Sequence, residues 1–405
     1  MTDRTATAER YTESQVAAAS IERGEPQWLQ EARAEAARAT SALPMPTAAL
    51  RPWRYTDLQG LDLEAFPPHP AAITVEGTAP AGGFAGRLTG GPAEVAREHL
   101  GSVVATTEGK FIAANAAQWE DGVLVHVPRG QAFEQPVVVT IDAAGLASAA
   151  VYPRVLVVAE EQGEVTIVLR TRSGADPLLA IGVVEVIAGQ AARVKLLLDD
   201  QWGEATRDFT WVRARLAKDA DLQVASVAIG GQLLKQTVEV LLEGEGATSV
   251  IRAVALGNAD QHFDFVTLQD HIGPRTTSEV EVKSALAGAS RSVYYGITRV
   301  GEGAHGANAD QANKNLLLSG SAKADSDPVL EILTADVIRC GHGATVGPVD
   351  QEALFYLQSR GLDRRQALQL LVAGFFQSVV GELPLEGFGE QLEERVFAKL
   401  QTADL

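Results

Sequence analysis

Between residues 150 and 345 a turn of small or polar residues is followed, over and over, by a short valine-rich run. The beat falls at Val165, Val194, Val224, Val250 and Val280, at intervals of 29, 30, 26 and 30 residues. The runs, such as Val165-Thr166-Ile167-Val168-Leu169, Val194-Lys195-Leu196-Leu197-Leu198 and Val280-Glu281-Val282, have the length and β-branched content of strands. No sustained helical pattern interrupts them, which argues against strand–helix–strand units. A period of this length, made of strand and turn alone, predicts the stacked coils of a β-solenoid. One coil cannot bury its apolar face by itself; stacked coils pair their backbones and share a continuous core. The alternative is a β-sandwich, whose turns recur about every 8–12 residues without a longer beat.

The flanks have a different texture. Residues 1–65 are rich in Ala, Glu, Arg and Gln and predict a helical region. Tyr11 to Arg23 reads as a helix stopped by Gly24, and Pro26 opens a second at its first position, where a missing N–H costs nothing. The aromatic segment Trp53-Arg54-Tyr55-Thr56-Asp57-Leu58 is expected to pin this arm to the body. Residues 66–347 are assigned to the β-helix core, with strand texture plain from about residue 85. Residues 348–405 return to helix. Asp350 caps Gln351 to Arg360 and Gly361 stops it; Asp363 with Gln366 forms a capping box for a helix running to Val380; a last helix covers Glu390 to Leu400. The middle one carries a broad apolar face: Ala367, Leu368, Leu371, Val372, Phe375, Phe376 and Val379.

Composition narrows the function classes. The 405-residue chain has a net charge of −18. That balance argues against nucleic acid, which demands clustered Lys and Arg, and against docking on anionic lipid. It favours a neutral or basic protein partner. The polar start, Met1 to Ala8, lacks the apolar core of a signal peptide. The greasiest stretch, Leu368 to Val380, is shorter than the roughly 20 residues a bilayer span takes. There is one cysteine, Cys340, and hence no internal disulfide. These features predict a cytoplasmic protein.

Cys340 and His342 are the first candidates for chemistry. The segment Glu331 to Ile338 before them looks like strand, and residues two apart on a strand share a face. Thiolate and imidazole side by side suit iron, zinc or iron–sulfur species, but a cluster usually takes about four ligands. The pair is either a half-site completed by another chain or a small buried thiol beside a solvated histidine at a coil end; chemistry alone leans to the second. A Cys–His nucleophile lacks a third orienting group. A second cluster, His262, Asp264, Asp270 and His271, reads as a metal or acid–base site or as polar residues between coils. His305 lies in an expected exposed turn. Gln311, Asn313 and Asn315 alternate onto one face and suggest a stacked amide ladder. Gly244-Glu245-Gly246 and Gly301-Glu302-Gly303 lack the Lys-Ser/Thr of a phosphate loop and read as turns.

The run Asp336-Val337-Ile338-Arg339-Cys340-Gly341-His342-Gly343-Ala344-Thr345-Val346-Gly347, with Leu354-Phe355-Tyr356-Leu357-Gln358-Ser359-Arg360-Gly361 after it, resembles the C-terminal signature of the SufB/SufD family. Asn313-Lys314-Asn315-Leu316, Pro328-Val329-Leu330-Glu331-Ile332, His262, His271 and the Trp53-to-Leu58 element fit the same family, so the resemblance covers about residues 50 to 380. The chain is most similar to the SufD branch, because SufB carries Glu-His-Glu at this place and extra cysteines taken to hold the nascent cluster. Gly341 departs from the family's usual Ser, and His305 from its more frequent Gln. The resemblance implies a right-handed parallel β-helix between helical ends. It implies a non-catalytic scaffold for iron–sulfur cluster assembly, a heterodimer with SufB and a complex with the ATPase SufC; a homodimer is compatible with the isolated chain. It places His342 and Cys340 at a cluster-forming interface with SufB, where a cluster or iron is shared transiently and none is tightly bound by this chain alone. It places SufC on the C-terminal helices, with Leu371, Val372, Phe375 and Phe376 as the expected contact. The alternatives outside the family are a β-helix polysaccharide-active enzyme, for which the acidic residues are too scattered, and a purely structural self-associating solenoid.

Overall fold

The computed structural model describes residues 10–58, 60–120, 122–382 and 387–405; the polar stretch Met1 to Ala8 lies outside them. The chain begins with α1 (Glu13–Glu22), α2 (Gln27–Ala42), β1 (Ala72–Glu76), β2 (Phe84–Arg87), α3 (Ala93–His99) and α4 (Lys110–Gln118). There follow β3 (Val123–Val127), β4 (Val137–Ala143), β5 (Ala149–Val151), β6 (Arg154–Ala159), β7 (Glu164–Ser173), β8 (Leu178–Ala188), β9 (Arg193–Gln201), β10 (Thr206–Leu216) and β11 (Asp221–Ala228). Then come β12 (Leu233–Leu242), β13 (Thr248–Gly257), β14 (His262–His271), β15 (Thr277–Leu286), β16 (Arg291–Val300), β17 (Ala307–Leu317), β18 (Lys323–Ile332) and β19 (Val337–Pro348). The helices α5 (Gln351–Ser359), α6 (Arg364–Val380) and α7 (Phe388–Thr402) close the chain.

The strands form a β-solenoid. From β6 onward successive strands alternate between two sheets, one ordered β1-β4-β7-β9-β11-β13-β15-β17-β19 and the other β18-β16-β14-β12-β10-β8-β6-β3-β2, with β5 as its tenth strand, off this path and paired with β8. Each coil gives one strand to each sheet, and neighbours within a sheet are parallel, as in Val165 opposite Val194 and Ala309 opposite Cys340. The exceptions are β1 on β4 and β2 on β3, which are antiparallel.

The valine beat found the period but not the register. Val165 and Val194 are true partners. Val224 sits opposite Leu196, two positions along, and Val250 opposite Glu279 on the outer face, with Ile251 opposite Val280. The stricter marker is a left-handed corner three to five residues before each of these valines. It recurs at Gln162, Ala191, Asp219, Gly246, Arg275 and Gly306, all with φ between 50° and 73°. Each corner N–H donates to the corner of the next coil, as Gln162 to Gln190, Ala191 to Lys218, Asp219 to Glu245 and Gly306 to Asp336. Only two of the six are glycine, so a conformation that ordinarily announces itself by Gly is hidden under Gln, Ala, Asp and Arg.

The inner faces of the two sheets meet in an aliphatic core. One column runs Val137, Ile167, Leu196, Val224, Ile251, Val280, each buried. The outer faces are covered by helices on opposite sides. The helices α2 and α4 and the segment around Trp53 pack on the ten-stranded sheet through Leu29, Trp53, Phe111, Trp119, Ile181 and Phe209. Sequence reading placed residues 66–347 in the β core; α3 and α4 lie inside that span, and α4 packs on α2 as part of the N-terminal helical layer. Pro26 stands one place earlier than expected, at the N-cap of α2.

The helices α6 and α7 pack on the nine-stranded sheet. Leu368, Val372, Phe376, Val379, Leu392, Val396 and Leu400 meet Val168, Leu197, Val227, Val254 and Leu256. Asp363 makes the expected capping box with Gln366, and Gly361 ends α5 with φ +97°, a conformation that a side chain would strain. The last helix runs lengthwise along the coils. Arg395 bonds Asp199 in β9 at 2.6 Å, Lys399 donates to the carbonyls of Ile229 and Leu256, and the Asp404 carbonyl receives the N–H of Gly288 at 2.8 Å. Burial pushes the Lys399 ammonium down to about 7. Among the described residues no helix is long and apolar enough to cross a membrane.

Candidate functional site

The two sheets end on β18 and β19, and among the described residues no further strand pairs with either. The expected continuous strand from Glu331 to Ile338 is instead two: β18 ends at Ile332, the chain turns, and β19 begins at Val337. Cys340 and His342 lie on β19, opposite Ala309 and Gln311 of β17. Ala309 and Gln311 are buried inner-face residues, so Cys340 and His342 occupy the inner-face positions of the last coil. They share a face, as the alternation predicted. Cys340 is half-buried beside Val300, Ala304 and Ala307, while His342 is exposed. Burial raises the Cys340 thiol above its ordinary value. Among the described residues no group of three or more His, Cys, Asp or Glu is placed to hold a metal ion.

The core column that is aliphatic for six coils turns polar just below this coil: Val280 is followed by Gln311, then His342. Gln311 spans the lumen. Its Oε1 accepts from Tyr294 Oη at 2.9 Å, and its Nε2 donates to the Val329 carbonyl at 3.0 Å. Asn315 Nδ2 donates to Asn313 Oδ1 at 2.6 Å, and Asn313 Nδ2 to the Val282 carbonyl at 3.1 Å. The expected amide ladder is therefore a single polar layer within one coil, tying one sheet to the other. Gly296 is required there, since a Cβ would fall 2.2 Å from Tyr294 Oη and 2.3 Å from Gln311 Oε1. Gly341 faces outward, where a Cβ would lie 2.9 Å from Asp310 Oδ1, the partner of Arg339. The edge of this coil exposes Ile332, Leu333, Ile338 and Val346.

The histidine–aspartate cluster is structural and does not converge. His262 Nε2 is 3.2 Å from Thr56 Oγ1, and Thr56 also donates to Asp264. Asp264 pairs with Lys235 at 2.7 Å, both 1% exposed, and Lys235 lies 4.7 Å from the Trp53 ring centre. The aromatic arm is thus pinned as expected: Trp53 stacks on Phe111 at 5.5 Å, and Phe111 on Phe209 at 4.5 Å. His271 is buried between Thr276 Oγ1 and Ser278 Oγ, each at 2.8 Å, and Asp270 pairs outward with Arg299. Burial lowers both His262 and His271 to about 4, which keeps them neutral. His305 is 61% exposed in its turn, 3.6 Å from Asp336.

Sequence reasoning missed a carboxylate inside the lumen. Asp199 and Asp200 follow each other on β9, so one must face inward. Asp199 points out to Arg170 and Arg395. Asp200 faces in, accepting from Gln236 Nε2 at 2.5 Å and Thr171 Oγ1 at 3.2 Å. Burial, with the neighbouring Asp199 charge, pushes it up to about 7. The Asp-Asp pair in a strand was the available signal.

The expected partner face on α6 is spent on packing. Val372 and Phe376 are 0% and 2% exposed, and Leu371 and Phe375 pack half-buried on the same cluster. The apolar side chains these helices present outward are Phe355, Tyr356 and Leu370.

Residues 139–375 match the family model described as SUF system FeS cluster assembly, SufBD core domain. An iron–sulfur cluster assembly SufBD family protein of Mycobacterium tuberculosis is 31% identical over 301 residues, covering 72% of this chain and 75% of that protein. The Bacillus subtilis iron–sulfur cluster assembly protein SufD is 30% identical over 320 residues, 76% of this chain and 72% of the relative. SufB of the same organism is 28% identical over 297 residues, 72% of this chain and 63% of the relative. The matched span takes in most of the solenoid, the terminal coil with Cys340 and His342, and the start of the C-terminal helices: the chain belongs to the SufB/SufD family of iron–sulfur cluster assembly proteins.

Proposed function

We propose that this chain is a scaffold subunit of the SufD branch, which carries half of a cluster-building site and performs no bond chemistry of its own. The observation behind this reading is the place of Cys340 and His342, on the inner face of an edge strand in an unfinished coil. Two ligands fall short of the roughly four that hold a cluster. A second chain that adds its own strands to β18 and β19 would finish the sheets and bring the missing ligands, and edge addition of this kind uses main-chain hydrogen bonds for affinity. In this family the fitting partner is SufB. The presence of a single cysteine here supports the SufD branch and leaves thiolate supply to SufB.

The cluster, or iron, is cargo held between two chains. His342 is the stronger ligand candidate, being exposed at the coil end. Cys340 is the weaker one: its thiol is held protonated by burial and must lose its proton when metal binds. The ATPase SufC is proposed to dock on the C-terminal helices. Phe355, 72% exposed, with the exposed Tyr356 and Leu370, offers the apolar surface for this. Replacing His342 with Ala in the co-expressed complex tests the site. Cluster-dependent enzyme activity in cells that rely on this system should fall sharply while the complex still co-purifies; unchanged activity would remove His342 as a ligand.

A further inference from the structure

The stability of a stack of repeats is close to a sum over its coils and the contacts between neighbours, so the coil with the poorest contact opens first. In this solenoid that is the last one. Every strand from β3 to β17 contributes buried residues, whereas β18 and β19 contain none. The aliphatic core shared by the coils ends at Val280, Val282 and Tyr294, and no residue of β17, β18 or β19 belongs to it. The apolar cluster that β19 does join is small: Val337 and Cys340 beside Val300, Ala304 and Ala307. The pairing of β19 with β17 also skips Ile338, a bulge that leaves one residue out of the ladder.

Side-chain hydrogen bonds stand where the core has stopped. The buried amides of β17 reach into both outer strands. Gln311 donates to the Val329 carbonyl of β18, Asn313 accepts from Ser326 of β18, and Asn315 Nδ2 lies 3.4 Å from the Thr345 carbonyl of β19. The helices that tie the lower coils stop short of this level. Lys283 of β15 donates to the Phe375 carbonyl and Ser378 Oγ of α6, each at 2.7 Å, and Gly288 just past β15 donates to Asp404. Among the described residues neither α6 nor α7 makes a hydrogen bond to β18 or β19.

We propose that β18 and β19 form a terminal plate that opens and closes as one unit over this amide layer, while the aliphatic core below stays shut. Opening wets amides, which find water as a replacement partner, and spares the aliphatic face, which the coil of β16 and β17 still covers. Local openings in proteins run in contiguous cooperative units of this kind. The plate carries Cys340 and His342 together on β19, so the pair keeps its spacing while its position against the body changes. The proposal concerns the free chain and stands apart from the cluster-building reading.

The test is amide hydrogen exchange on the full chain, followed by mass spectrometry at peptide resolution. The ladder-bonded amides of β18 and β19 are expected to exchange at least about a hundredfold faster than those of β14 and β15. Ser326→Ala removes one bond from β18 alone, and it should speed exchange in β18 and in β19 by the same factor, about three- to tenfold. Gln311→Ala strips the layer of two bonds and should speed both strands by about tenfold or more, with β14 and β15 unchanged. Ser326 is only half-buried on an edge strand, so its variant keeps the test open if the Gln311 variant does not fold. Terminal strands as slow as β14 and β15, a β19 indifferent to Ser326→Ala, or equal acceleration of β14 and β15 in either variant would overturn the proposal.

Discussion

The two ends of the solenoid are built on opposite plans. At the N-terminal end the outermost strands, β1 and β2, are short, at 5 and 4 residues, and antiparallel to their neighbours, and the helical layer packs over Leu124 of β3 and Leu156 of β6 in the adjoining sheet. At the C-terminal end the outermost strands, β18 and β19, are 10 and 12 residues long and parallel, with Ile332, Leu333, Ile338 and Val346 exposed. Long unpaired edges are a liability that proteins ordinarily blunt, and repeat stacks need capping. One end obeys both rules and the other neither. The difference separates residues that hold the fold from residues left for association, and it gives the open end a physical reason to seek another chain.

Four measurements break or sharpen that contrast, from the largest expected effect to the smallest. Phe111→Ala should remove about 3–5 kcal/mol of stability in denaturant melts, because it empties the centre of the aromatic stack by which the helical layer sits on β10; a loss below about 1 kcal/mol would mean that this layer is not what holds the covered sheet. Between the ends lies Asp200, whose carboxyl is pushed up to about 7 in the folded chain by burial and the Asp199 charge, above the roughly 3.9 of an unfolded Asp. The folded state then binds the extra proton, so this group's stabilisation is fully present below about pH 4 and is lost as pH rises through about 7. The slope is at most ~1.4 kcal/mol per pH unit, and Asp200→Asn should flatten it in melts taken from pH 5 to 8. Ala191→Gly relieves a left-handed corner at φ 55° and should gain about 0.5–1 kcal/mol; a loss would show that the corner is not strained. His342→Ala should move stability by less than about 0.5 kcal/mol. A larger drop would make the open end part of the folding core and erase the comparison.

The same contrast governs how much was legible in the sequence. The solenoid period was, because aliphatic strands recur in every coil. The register was not, since the corner that fixes it is glycine at only Gly246 and Gly306 of its six occurrences. Helix ends at Asp350, Gly361 and Asp363 followed from capping chemistry, which is local. The helix α4 was missed because its run Lys110 to Gln118 is alanine-rich and too short to show a period. Cys340 and His342 were legible as a face-sharing pair, because alternation on a strand is local; their place at an unpaired edge was not, because only the stack shows where the coils stop. The face of Leu371, Val372, Phe375 and Phe376 misled for the converse reason. A wide apolar stripe marks burial, and the sequence does not say whether the cover is a partner or the chain's own sheet.

One consequence belongs to α7. Its bonds to Asp199, Ile229 and Leu256, and that of Asp404 just past its end to Gly288, fall on coil after coil, so the helix acts as a tie rod laid along a stack of plates. A load placed on the C-terminal helices is spread over several coils at once instead of prising one from the next. The stack is tied against bending on that side.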